Sequence, residues 1–141
     1  MKTVFFSLLS LLLFASPAQA ISPFSKVLYS DTNISASEDG STFCFSREDA
    51  EEVVDLSFTL DADHNGGTSP TLDVTIEESE EGTSSDIWYD VGNFTQVTTS
   101  NSDQRMRLTY NGVARCLRAS LVLGGTSPDY DVTVKIWFNR K

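Results

Sequence analysis

The chain is poor in the residues that most chemistry needs. It has one histidine, His64, and two cysteines, Cys44 and Cys116, in 141 residues. One imidazole without a C-x-x-C pair makes neither a zinc ligand set nor a redox centre. No G-x-S-x-G elbow presents a serine, so a Ser-His-Asp mechanism would have to be assembled around His64 alone. Carboxylates are plentiful, but glycoside hydrolysis needs a cleft that raises the pKa of one of them, and abundance alone does not provide that. Basic residues are scarce: ten Lys and Arg stand against twenty Asp and Glu, a net charge of −10. Such a chain repels a phosphate backbone or an anionic bilayer, which argues against nucleic acid as a partner. These absences point to a protein that is not an enzyme.

Long apolar runs are lacking too, apart from Val4 to Ala15. That run falls short of the roughly 20 residues needed to span a bilayer. It follows Met1-Lys2 and precedes Ala18-Gln19-Ala20, a small-x-small cleavage pattern. Residues 1–20 therefore read as a cleaved secretory signal, giving a periplasmic or secreted protein without membrane insertion. Residues 21–40 form a polar lead-in in which only Val27, Leu28 and Tyr29 look able to pair, and 41–141 suit one domain with one core.

The segment GGTSP is present twice, at Gly66 to Pro70 and Gly124 to Pro128. Each copy separates alternating apolar stretches: Val54, Leu56, Phe58 and Leu60 precede the first, Leu72, Val74 and Ile76 follow it, and Tyr130 to Phe138 follow the second. Alternation broken by paired glycines predicts a β-hairpin at each copy. Further turns are expected at Asp39-Gly40, Glu81-Gly82, Gly92-Asn93, Asn101-Ser102 and Asn111-Gly112. One helical turn fits Arg47 to Val53, and nothing else invites a helix. About eight short strands with one apolar face each predict an all-β, two-sheet antiparallel β-sandwich, with jelly-roll and immunoglobulin-like connections both open.

In an exported chain the two cysteines are expected to pair. Phe43 and Phe45 flank Cys44, and Cys116 alternates with Leu117, Ala119 and Leu121. If those neighbours face the core, both sulfurs point away from it, and the bridge joins neighbouring segments on an outer face.

The order GTSPTLDV, then Trp88-Tyr-Asp90-Val91-Gly92, then Phe94-Thr95-Gln96, then Arg115-Cys-Leu117-Arg118 leading to the second GGTSP, resembles small β-sandwich proteins of bacteriophage virions, of the structural or accessory type. The resemblance covers about half the chain. It implies a fold and an assembly or binding role, brings no catalytic residues, and favours a buried Trp88. With the N-terminal signal, an exported cellular relative is expected instead of a virion component.

Three binding features stand out. Asp61-Ala-Asp63-His-Asn65-Gly66 has the D-x-D-x-N-G spacing that opens an oxygen-ligand calcium loop. Leu72 occupies the position of the closing bidentate acid, so at most a weak calcium site at Asp61, Asp63 and Asn65 is expected, and no other cofactor. Trp137 alternates with the apolar face of its strand and should share the outer face with Asp131, Thr133 and Lys135, where it can anchor a protein or stack on a sugar. The acidic runs at Glu48 to Glu52 and Glu77 to Glu81 read as solvated turns. The expected role is a structural or binding module with a protein or glycan partner. Its alternatives are a carbohydrate-binding, calcium-assisted module and a fibre subunit that self-associates by strand addition through the 21–40 segment. Sequons stand at Asn33 and Asn93.

Overall fold

A computed structural model describes residues 24–46, 53–83, 85–109 and 116–140. The secretory signal, the helical turn at Arg47, the acidic run at Glu48 and the turn at Asn111-Gly112 lie outside the described residues. The chain is all-β and antiparallel. Its strands are β1 (Phe24–Ile34), β2 (Glu38–Asp39), β3 (Phe43–Cys44), β4 (Val53–Ser79), β5 (Tyr89–Asn93), β6 (Ser102–Thr109) and β7 (Cys116–Arg140).

The expected pair of separate sheets is replaced by one seven-stranded sheet in the order β1-β7-β4-β5, with β6 on β4 and the short β2 and β3 on β7. Its spine is the pairing of β4 with β7 along nearly their whole length, from Val53↔Arg140 to Ser79↔Cys116. One half of the sheet is built from residues 53–64 and 129–140 flanked by β6 and β1, the other from residues 71–79 and 116–124 flanked by β5, β2 and β3.

The GGTSP segments sit where the halves join, and this corrects the hairpin expectation. Neither copy folds its own strand back; each bends a strand that continues, and the copies lie against each other at Thr68↔Thr126. Gly67 has φ +113° and Gly125 φ +93°, and Ser69 and Ser127 are also left-handed, at φ 48° and 50°. A Cβ on Gly67 would lie 2.7 Å from the Ser127 carbonyl oxygen, and one on Gly125 would lie 2.4 Å from that of Ser69. Glycine is needed at both for backbone approach as well as for φ. The glycine pair signals a reversal of direction or a bend equally well, and only the partner strand decides which.

Alternation sorts side chains as expected. Leu56, Phe58, Leu60 and Ala62 of the first half and Leu72, Val74 and Ile76 of the second are buried in a common core with Leu117, Ala119, Leu121 and the Tyr130 to Phe138 series. Phe138 stacks on Phe43 at 5.7 Å and meets Phe45 edge-on at 5.3 Å, so the apolar faces of the two halves meet at this end. Tyr130, fully buried, donates its hydroxyl to the carbonyl of Thr98 at 2.8 Å. The lead-in contributes more than three pairing residues: β1 pairs with β7 from Phe24↔Phe138 to Ile34↔Tyr130 and adds Leu28, Tyr29 and Ile34 to the core.

Cys44 and Cys116 are bonded and directly opposite each other across β3 and β7, with Cα atoms 4.0 Å apart. Phe43 and Leu117 take the inner face, so the bridge lies on the outer one, as alternation requires.

Candidate functional site

Two outer faces remain once the core is filled, one on each half of the sheet. On the half with the disulfide, Arg118 is held from two sides, 2.8 Å from Asp39 and 2.6 Å from Glu77. Its guanidinium lies 4.3 Å over the ring of Trp88. The alternation of Ile87, Trp88 and Tyr89 is thereby resolved: Trp88 lies partly buried beneath Arg118 on the outer face, outside the core that the resemblance favoured for it, while Ile87 and Tyr89 are exposed. The preceding turn is closed by Asp86, whose carboxylate accepts the backbone N–H groups of Glu81 and Gly82, and these bonds hold its pKa below the usual carboxylate value. The acidic run at Glu77 is thus a pairing partner and a turn.

The other outer face is organised in rows by strand register. Trp137 lies opposite Ser25 on β1 and Ser57 on β4, and Ser57 opposite Arg107 on β6. The next row is Val27, Lys135, Thr59, Arg105, and the next Ser30, Thr133, Asp61, Asp103. Asp131 opposite Asp63 ends the series. Successive rows are about 6.6 Å apart, two residues along a strand. Trp137 is 38% exposed and Val27 51%, against full burial of their neighbours Ile136 and Leu28. Between the strands lies a shallow depression of about 370 Å³ lined by Thr59, Asp61, Asp103, Arg105, Thr133 and Lys135.

Charge on this face is segregated. One end carries Trp137, Arg107, Arg105 and Lys135, with the exposed Asp55 at its rim one step beyond Ser57; the other carries Asp61, Asp63, Asp103 and Asp131. Arg105 donates through Nε to Ser57 Oγ at 2.8 Å, and among the described residues the only ion pairs are those of Arg118. Burial, together with the charges of Asp103 and Asp63, raises the pKa of Asp61. Asp131 accepts from the Asn33 backbone and from Asn65 Nδ2, each at 2.8 Å, which ties β1 and β4 to β7.

The D-x-D-x-N-G segment is not a loop. Residues 61–66 are extended within β4, so Asp61, Asp63 and Asn65 stand along one face about 6.6 Å apart instead of converging. Among the described residues no group of three His, Cys, Asp or Glu side chains gathers to hold a metal. The motif lost its loop because β7 pairs with it, a long-range contact the spacing does not contain. His64 turns inward, its ring edge-on to Tyr130 at 5.5 Å. Its Nε2 is buried without a hydrogen-bond partner, as are Trp88 Nε1 and Asp129 Oδ1. Asn33 and Asn93 are exposed, and Asn93 accepts from Thr75 at 2.6 Å. Among the described residues no helix is long and apolar enough to cross a membrane.

Sequence reasoning found Trp137 and Lys135 on this face but missed Arg105, Arg107 and Asp103. Their alternation was visible; their position beside Ser57, Thr59 and Asp61 depends on the pairing of β6 with β4.

No protein-family model matches the chain, and no curated protein matches it. Its structure is similar to those of β-rich proteins. The SPBc2 prophage-derived protein YomS shares 12% identity over 82% of this chain and 91% of that one, with a TM-score of 0.46. Bacillus endospore appendages, described as a family of disulfide-linked pili, share 11% identity over 84% and 88%, with a TM-score of 0.46. The CBM22-1-GH10 modules of Clostridium thermocellum endo-1,4-β-D-xylanase share 11% identity over 80% and 28%, with a TM-score of 0.45. These likenesses carry no argument about ligand or partner.

Proposed function

We propose that this chain is a non-enzymatic structural or binding module acting outside the cytoplasm, and that it engages its partner through the outer face around Trp137. The observation that carries the reading is the half-exposed Trp137 in register with Ser57 and Arg107, at the cationic end of an otherwise acidic protein. A flat aromatic ring beside hydroxyls and guanidinium groups recognises a surface; it does not perform acid–base chemistry. The outward disulfide supports an oxidising compartment. The sheet bends at both GGTSP segments and closes its apolar faces on each other, so we read the architecture as a sandwich made from one continuous sheet.

The test is capture of partners from the envelope fraction and culture medium with the wild-type chain and with Trp137→Ala. A partner retained by the first and lost by the second supports the reading; equal retention by both overturns it. A glycan array run with and without calcium separates a sugar partner from a protein one, and binding that depends on calcium and on Asp61 would revive the metal reading.

A further inference from the structure

We propose that the partner of the Trp137 face is a second copy of this chain, docked face to face so that the cationic end of each copy covers the acidic end of the other. This rests on the reading of that face as the contact surface and names its occupant.

Charge is ordered along the strands of this face. Below a rim row in which Asp55 stands opposite Thr109, the rows are Trp137, the buried Ser57, Arg107; then Lys135, Thr59, Arg105; then Thr133, Asp61, Asp103; then Asp131, Asp63, so three cations lie between one rim carboxylate and four carboxylates at the far end. The sign changes between the second row and the third. A two-fold axis lying in the interface, across the strands at that boundary, carries the second row onto the third and the first onto the fourth. Arg105 then meets Asp103 of the other copy, Lys135 lies over the row of Asp61, and Trp137 and Ser57 lie over Asp131 and Asp63. An isologous contact needs such self-complementarity. An axis along the strands would instead set each row on itself and bring like charges together. An anionic glycan would satisfy only the cationic rows and would leave four carboxylates facing it, whereas a second copy, although it carries the same net charge of −10, supplies cations to those carboxylates.

Size sets the strength. Four strands about 4.8 Å apart and about 26 Å long present on the order of 500 Å² per copy, below the roughly 800 Å² of a standard interface. The dimer is therefore weak and salt-sensitive, since contacts between exposed charges are screened as the Debye length falls from about 10 Å at 0.1 M salt to about 3 Å at 1 M.

Sedimentation velocity of the full chain over a range of concentration and salt tests this. Concentration-dependent dimer at low salt is expected, with at least about tenfold weakening at 1 M. Arg105→Glu, Arg107→Glu, Lys135→Glu makes an all-acidic face, and Asp61→Lys, Asp63→Lys, Asp103→Lys a predominantly basic one that keeps Asp131 and Asp55. Each should be monomeric alone, and an equimolar mixture should form the heterodimer. Should either triple variant fail to fold by circular dichroism, Arg107→Gln with Lys135→Gln serves instead and should weaken the wild-type dimer. A wild-type chain that stays monomeric at low salt and high concentration overturns the proposal. So does a wild-type dimer indifferent to these substitutions, or a mixture of folded triple variants that stays monomeric. Monomer that binds an acidic polysaccharide through Arg105 and Arg107 would sink self-association yet leave the contact-face reading standing. Partner capture insensitive to Trp137→Ala would remove both.

Discussion

Arg118 and Arg107 both project outward from the sheet, one on each half, and they do different things. Arg118 is pinned between Asp39 and Glu77 and covers Trp88. Arg107 stands in a row with Ser57 and the half-exposed Trp137. The same contrast holds for the covalent bond: the half with Arg118 carries the Cys44–Cys116 bridge on its outer face, and the Trp137 half has none. One outer face is consumed in holding short segments, β2, β3 and the 81–87 turn, onto the long strands. The other depends less on such help, because its flanking strands β1 and β6 are eleven and eight residues long; its outer ties are hydrogen bonds such as those of Asp131 to Asn33 and Asn65. Where pairing is short, the outer charges are taken up in ion pairs across segments; where it is long, Arg107, Lys135 and Asp103 take part in no ion pair among the described residues.

If that division is right, the Trp137 half should be sensitive on its inside and tolerant on its outside. Ile136→Ala, at a fully buried position, should destabilise by about 2–5 kcal/mol, whereas Trp137→Ala, one residue on, should cost under about 1 kcal/mol. Denaturant melts of the two variants measure the difference, and equal losses would mean that Trp137 is structural and the contrast between faces false.

The disulfide half should depend on its staple. The bridge spans 72 residues, and its closure restricts the unfolded chain enough to be worth about 4 kcal/mol in the chain-entropy model. The double variant Cys44→Ala, Cys116→Ala should lose much of that, with hydrogen exchange rising first in β3. Protection lost first in β6 would reverse the assignment of which half is held from outside.

The two arginines should separate next. Arg118→Gln removes two charge-assisted contacts and a cation–π contact at a largely buried site, and should cost about 1–3 kcal/mol. Arg107→Gln should stay within about 0.5 kcal/mol of wild type. Comparable melts for the two would erase the distinction.

The smallest effect is at Asp61. Its folded pKa is raised above the ordinary 3.8 by burial and by Asp103 and Asp63. A raised carboxylate opposes folding once it ionises, so stability falls as pH rises from 3.8 through the folded value. Asp61→Asn should therefore be slightly more stable than wild type at neutral pH, and the gain should vanish below the ordinary Asp pKa. Thermal melts across pH check this, and a gain that persists at low pH would show that the carboxylate charge is not its cause.

How much was legible follows from where each fact is encoded. Alternation put Leu56, Phe58, Leu60, Leu72, Val74 and Ile76 inside and Trp137 and Lys135 outside before any partner was known, because side-chain direction has period two along a strand. The same rule put Cys44 and Cys116 on an outer face. It failed at GGTSP and at D-x-D-x-N-G, where residues suited to a turn or a loop were drawn into continuous strands by pairing with a segment some sixty residues away.

The amino-acid sequence by itself determined which side of each strand is apolar, that each glycine pair supplies a positive φ, and which sulfurs are available to bond. Only the tertiary structure decided that the two GGTSP copies bend against each other. It alone set Arg105, Arg107 and Lys135 beside Trp137, and Asp103 beside Asp61. The reason is that side-chain direction is a property of one strand, whereas a binding face is made by the register between strands, and register is fixed by contacts that no local pattern contains.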